Sequence, residues 1–192
     1  MTKLLAMLAA AVVAFPASAQ VKIGVINSMT GPEAPIGENH TNGIKLAQED
    51  LEKKGVKVQL VWEDDTGKPQ ISMSAMEKLA TRDGVIGVVG PYTSACSNAV
   101  AKLAERYKVP LLVPAAAKEE ITRQGYKHVF RMNAPADQYA QVLLDAVTAL
   151  GKPKTIAFLY ENTDFGFPKV RAASRRDWAY WWAGALSRKT HL

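Results

Sequence analysis

From Val21 onward, short runs rich in β-branched and apolar residues alternate with longer amphipathic runs, and this alternation constrains the fold more than any other property of the chain. Parallel strands cannot be joined by a tight hairpin and need a long crossover, usually a helix. The pattern therefore predicts an α/β fold, a doubly wound parallel sheet. Val21 to Ile26 predicts the first strand. A loop rich in Gly and Pro (Gly31, Pro32, Pro35, Gly37) leads to a helix from Glu38 to Lys54, whose Ile44, Leu46, Ala47 and Leu51 can share one buried face. Val56 to Trp62 follows as the second strand, a turn spans Glu63 to Gly67, and Pro69 opens a helix reaching Thr81, since proline is tolerated in a first turn. Val85 to Val89 is nearly all apolar, as expected of a strand covered on both faces in the middle of the sheet. A helix from Ser94 to Tyr107, a strand from Pro110 to Val113, a short helix near Lys118 to Arg123 and a strand from Lys127 to Arg131 continue the alternation. Asn133 to Asp137 interrupts it before a helix from Gln138 to Leu150 and a strand from Thr155 to Tyr160.

At 192 residues the chain has room for one ordinary domain and part of another. Residues 1–19 belong to neither. Lys3 precedes an apolar run from Leu4 to Phe15, too short for a membrane span of about 20 residues, and Ala17, Ser18 and Ala19 supply the small residues of a cleavage site. The expectation is a cleaved signal peptide, export and a mature start at Gln20 or Val21. Cys96 is the single cysteine, which excludes an intramolecular disulfide, a cysteine-based metal site and lipid attachment at the cleavage site. The formal charge of +6 is concentrated at one end, where residues 166–192 hold six basic residues against Asp177. The body from Gln20 to Phe165 is neutral, so nucleic acid is not an expected partner.

The candidate site is a loop. In the run from Val85 to Asn98 an apolar strand meets a Gly-Pro turn and then a hydroxyl-rich helix start, Tyr92, Thr93 and Ser94. Strand ends opening onto helix N-termini suit a carboxylate or another polar group, while the structural alternative is helix capping by Thr93 or Ser94. A second loop of the same kind, Leu111 to Ala117, lies one strand–helix unit further on. For an enzyme the material is thin. Asp64 and Asp65 after a strand can hold a divalent metal, but as paired acids in a turn they are expected to be solvated capping groups. His40 and His128 are separated and show no carboxylate partner in the sequence, and the chain has no nucleophile elbow, P-loop or dinucleotide fingerprint. The expectation is that the protein is not an enzyme and carries no cofactor and no metal.

Several motifs occur in one order: the signal segment, VKIGVINSMTGP from Val21 to Pro32, Ile36-Gly37, Asn42 to Ile44, Asp64-Asp65, VVGPYTS from Val88 to Ser94, VPAAA from Val113 to Ala117, RQGYKHVFR from Arg123 to Arg131 and YENTDFG from Tyr160 to Gly166. The ordered set resembles the branched-chain amino acid (leucine/isoleucine/valine) binding family, periplasmic substrate-binding components of ABC importers, over residues 1 to about 166. The resemblance implies two lobes that close on a small ligand by a hinge motion. It divides the chain into a signal peptide (1–19), a first ligand-binding lobe (20–132), the start of a second lobe (133–165) and an atypical basic, Trp-rich tail (166–192). It also implies a monomer whose partners are a small amino acid or carboxylate and the membrane subunits of a transporter. A sensory receptor domain of the same fold, or an exported enzyme with a metal at Asp64 and Asp65, are the alternatives.

By the same resemblance Ser94 and the loop Ala115 to Ala117 hold a ligand's α-carboxylate and amino group, with Tyr92 and Thr93 beside them. Ala115 offers its carbonyl, Ala117 stands where threonine is frequent, Ile36 where an aromatic residue is frequent, and Phe165 where tyrosine is frequent. These departures point to a less polar ligand, such as an aromatic or short-chain carboxylate. The tail breaks both helical and strand periodicity at Gly166, Pro168 and Gly184 and is expected to be foreign to the fold, as after a reading-frame shift or in a truncated copy, the alternative being a basic amphipathic segment that binds membranes. With the facing wall of the cleft largely missing, this chain is expected to bind weakly or not at all.

Overall fold

The structure, a computed structural model, describes residues 20–151, 159–166 and 168. The signal segment, most of the strand expected over Thr155 to Tyr160 and the tail beyond 168 lie outside the described residues.

Five parallel strands, β1 (Val21–Asn27), β2 (Val58–Asp64), β3 (Gly87–Val89), β4 (Leu111–Val113) and β5 (Val129–Arg131), form one sheet in the order β2-β1-β3-β4-β5. The intervening helices are α1 (Ala34–Lys53), α2 (Pro69–Lys78), α3 (Ser94–Tyr107) and α4 (Glu120–Arg123), and α5 (Ala136–Gly151) follows β5. The step from β1 to β2 runs one way along the sheet and the later steps run the other. Since such crossovers are right-handed, α1 belongs on one face and α2, α3 and α4 on the opposite one. The main core lies on that second face. Ile26, Val88, Leu111, Val113 and Val129 of the sheet pack with Ala75, Met76 and Leu79 around α2, Val100, Ala101 and Ala104 of α3, and Ile121 of α4.

This asymmetry corrects two expectations. Helix α1 begins at Ala34, four residues before the expected Glu38, with Pro35 in its first turn. Its one buried residue is Gly37, where an added Cβ would stand 1.9 Å from the Ser28 carbonyl oxygen, so only glycine lets the helix start close over the end of β1. The buried face expected of Ile44, Leu46, Ala47 and Leu51 does not form: Leu46 is 58 % exposed, Leu51 and Ala47 are exposed, and Ile44 is partly covered. The reason is placement. Among the described residues α1 lies against β1 and β2, whereas α2 and α3 pack on each other as well as on the sheet.

The strand expected over Val85 to Val89 is also less enclosed than its composition suggests. Ordered pairing starts at Gly87, and Ile86 is exposed. The register row Val25, Val89, Leu112, Phe130 crosses the face that α1 covers, and it runs from a fully buried Val25 to an exposed Phe130 at the far strand. Cover is greater on the α2–α3 side and fades on the other with distance from α1. Helix α2 continues through a wider π turn over Leu79–Asp83 and stops at Gly84, which takes a left-handed conformation with φ 65°.

Candidate functional site

Strand order reverses between β1 and β3, so the crevice at their carboxyl ends is where an open parallel sheet accepts ligands. The loop after β3 leaves through Gly90, at φ 106°, where a Cβ would come within 1.9 Å of the Ile26 carbonyl oxygen. A cis Gly90–Pro91 peptide follows. Thr93 is the N-cap of α3, its Oγ1 accepting from the Cys96 amide at 3.2 Å, and Ser97 Oγ donates back to the Pro91 carbonyl at 2.9 Å. The capping role weighed from the sequence thus falls to Thr93. Ser94 is left for another task.

Ser94 Oγ accepts hydrogen bonds from the amides of Ala117 (3.2 Å) and Lys118 (3.4 Å), so one hydroxyl ties the loop after β3 to the loop after β4. With its oxygen engaged twice as an acceptor, its own hydrogen is available to an acceptor group. Ser94 and Ala117 are buried, and Ala115 is half-buried. The Ala115 carbonyl, expected to be open to a ligand, accepts from Asn133 Nδ2 at 2.5 Å, and the Asn133 amide oxygen accepts in turn from the Tyr139 hydroxyl. The Ala117 carbonyl accepts from the Ala136 amide at 2.9 Å, which anchors the start of α5 to the same loop.

Tyr92 lies edge-on to His40 of α1, with ring centroids 5.3 Å apart and planes at 73°. Burial pushes the Tyr92 hydroxyl above its ordinary range, and Glu33 and Glu161 add to the effect; burial lowers His40. His40, expected at the surface or in a turn, is instead a helix residue facing the site loop. Ile36 sits one helical turn before it, at the edge of exposure. On the opposite rim Lys118 Nζ pairs with Asp164 at 2.8 Å, which brings the segment carrying Phe165 to the loop after β4; Phe165 itself is partly exposed. The hydrogen bonds of Ser94 to Ala117 and Lys118 therefore join the two loops, with Thr93 capping α3 beside Ser94 and Ala115 engaged by Asn133. Tyr92 extends this group to α1, while Ile36 and Phe165 stand at its margins.

The sequence did not mark Asn133, Lys118, Asp164 or His40 as parts of this region. Lys118 and His40 are single polar residues outside any motif, Asp164 lies within the YENTDFG motif with no sign of its partner, and Asn133 was legible only as part of the Asn-Ala-Pro interruption. The paired acids are also reassigned. Asp65 is fully buried rather than solvated, accepting from Ser28 Oγ (2.7 Å), Ser72 Oγ (2.8 Å) and the Gly67 amide (2.9 Å). Asp64 accepts from the Met29 and Thr66 amides, both at 2.9 Å, and from the amide and hydroxyl of Thr30. Partial burial opposes ionisation of Asp64, but these hydrogen bonds prevail and hold its carboxyl below the ordinary value. Both carboxylates are spent on protein donors. His128, expected to lack a carboxylate partner, pairs through Nδ1 with Glu105 Oε2 at 3.1 Å; the same oxygen accepts the Lys127 and His128 amides and fixes the start of β5. Cys96 is wholly buried, and burial raises its thiol.

A family model described as periplasmic binding protein matches residues 20–177. A Leu/Ile/Val-binding protein, BraC3, of Rhizobium johnstonii is 33% identical over 154 residues, which is 78% of this chain and 42% of the relative. The leucine-binding protein LivK of Thermotoga maritima superimposes with a TM-score of 0.70 at 29% identity, over 81% of this chain and 45% of that one. A solute-binding protein of an ABC transporter from Rhodopseudomonas palustris, solved with 3,4-dihydroxybenzoic acid, gives a TM-score of 0.72 at 26% identity, over 81% and 43% of the two chains. The chain thus spans less than half the length of these relatives. Its parallel sheet with flanking helices matches one lobe of a type I periplasmic binding protein.

Proposed function

This chain belongs to the periplasmic binding protein family, and on that premise we propose that it is the ligand-binding lobe of a solute-binding component of an ABC importer. Its ligand is a branched-chain or other amino acid or a related carboxylate, held between residues 20–132 as first lobe and a second lobe that begins at 133–165. Members of this family are substrate-binding proteins and not enzymes. Export through cleavage of residues 1–19, a periplasmic location, a monomeric state and delivery to the membrane subunits of a transporter complete the proposal. No helix among the described residues is long and apolar enough to cross a membrane.

One observation carries this reading: Ser94 Oγ, at the carboxyl ends of β3 and β4 beside the switch point, binds two main-chain amides of the neighbouring loop and keeps its own hydrogen for an acceptor. Fixed donors at a strand–helix junction suit a carboxylate. The naming of a similar protein for leucine, isoleucine and valine supports an amino acid, and the aromatic acid bound by another supports a carboxylate in a wider sense. The test is thermal unfolding of the chain against a panel of amino acids and aromatic or aliphatic carboxylates at millimolar concentration. A ligand present at 100 times its Kd adds about 2.7 kcal/mol of apparent stability, so binding is read as a rise in midpoint with concentration. A midpoint unmoved by every member contradicts the proposal.

A further inference from the structure

Resting on the reading of residues 133–165 as the start of a second lobe, we infer that Lys118 is a positioning residue, whose ion pair with Asp164 latches residues 161–166 onto the site loops and so helps retain the ligand. Lys118 is the fixed half of the pair. Its amide donates to Ser94 Oγ at 3.4 Å, and its carbonyl accepts from Arg131 Nη1 at 2.8 Å. Arg131 is itself anchored, with Nη2 donating to Thr122 Oγ1 at 2.8 Å. The main chain of Lys118 is thus held on both sides, and from there its side chain reaches Asp164 Oδ2 at 2.8 Å.

The other half of the pair sits on a turn with its own internal bonds. The Thr163 amide donates to the Glu161 carbonyl at 2.9 Å, and Thr163 Oγ1 accepts the amides of Phe165 (3.3 Å) and Gly166 (3.2 Å). A Cβ on Gly166 would lie 2.1 Å from the Glu161 carbonyl oxygen, so the turn closes in this way only on glycine. The turn meets the first lobe at two places. Asp164 engages the loop after β4 through Lys118. Glu161 comes close enough to Tyr92 of the loop after β3 that its carboxylate, after burial and together with Glu33, raises the Tyr92 hydroxyl. These are the two loops that Ser94 ties together, so the turn bridges them a second time and carries Phe165 with it. The Lys118 and Asp164 side chains are 20 % and 45 % exposed, so the pair is partly screened and adds little to folding. A latch needs no more, because between open and closed forms near balance a few-fold shift in their ratio passes directly into ligand affinity.

The experiment uses the full chain and four variants: Lys118→Met, which keeps the main-chain amide on Ser94, Asp164→Asn, both together, and the exchanged pair Lys118→Asp with Asp164→Lys. In the ligand-free chain, Lys118→Met is expected to move the amide resonances of Thr163, Phe165 and Gly166, and the exchanged pair to move them back. Resonances of that turn left in place by Lys118→Met overturn the latch. Asp164→Asn, read at the amides of Tyr92 and Lys118, carries the same test if Lys118→Met fails to fold. Leucine, 4-hydroxybenzoate and 4-methylpentanoate, which is leucine without its ammonium, are then titrated to tens of millimolar. For those that bind the unaltered chain, each single variant is expected to lose about two- to fivefold in affinity, the double variant no more than either single one, and the exchanged pair to recover most of the loss. Unfolding midpoints are expected to stay together. Losses that add in the double variant, or that follow a falling midpoint, overturn the positioning role and leave the carboxylate-binding reading standing. Unchanged affinity in both single variants does the same. Failure of all three ligands to bind the unaltered chain overturns the carboxylate-binding reading and the retention of ligand with it, while the ligand-free resonances still decide whether the latch forms.

Discussion

At the scale of single residues, the polar groups that fix the site loops are few and multiply bonded, which gives each one high leverage. Asp65 is the clearest case. It joins Ser28 at the end of β1 to the turn after β2 and to Ser72 of α2, away from water. In Asp65→Ala, Ser72 keeps the Lys68 carbonyl as acceptor, but the Ser28 hydroxyl and the Gly67 amide are stranded. At about 1–3 kcal/mol for each stranded donor, the substitution is expected to cost about 2–6 kcal/mol in urea unfolding. A loss below about 0.5 kcal/mol contradicts the assignment. Residue types alone did not reveal this. Two adjacent acids after a strand read as solvated caps ahead of a metal pair, and only the partners at 2.7–2.9 Å show Asp65 to be a buried anchor. Thr93 and Ser94 pose the same ambiguity, resolved by geometry into a cap and a bridge between loops.

At the scale of elements, the strand–helix alternation was legible because period 2 and period 3.6 patterns are local. Helix α3 spans Ser94–Tyr107 as its pattern indicates, with capping by Thr93 at its start and Lys108 in a left-handed conformation at its end. What was not legible was which apolar faces find cover, because that depends on where a helix lies in the sheet. Leu46 and Leu79 show the contrast: both are leucines in helical segments, one 58 % exposed on α1 and the other fully buried beneath the sheet. Leu79→Ala is expected to destabilise by about 2–5 kcal/mol, and Leu46→Ala by about 0.5 kcal/mol or less. Chemical denaturation of the two variants checks this; equal losses contradict the one-sided core. The same argument covers Gly37, whose role as the point of contact between α1 and β1 lies in a 1.9 Å clearance that no periodicity expresses.

At the scale of the whole molecule, five parallel strands place the loops after β1, β3 and β4 along one edge of the sheet. The loops after β3 and β4 are joined there through Ser94, and Lys118 joins the latter to the segment bearing Asp164 and Phe165. The fold was readable because ordered motifs and alternation both report connectivity. The contacts that fix the site loops were not, because they include one amide, Asn133, reaching a carbonyl 18 positions away. The central claim is that a ligand carboxylate is received at the Ser94 hydroxyl between the loops after β3 and β4. The most direct measurement is amide chemical-shift mapping of the chain during titration with 4-methylpentanoate. The account predicts saturable shifts concentrated at Thr93, Ser94, Ala117 and Lys118, abolished in Ser94→Ala. Saturable shifts confined to other surfaces, or unchanged binding in folded Ser94→Ala, would contradict it.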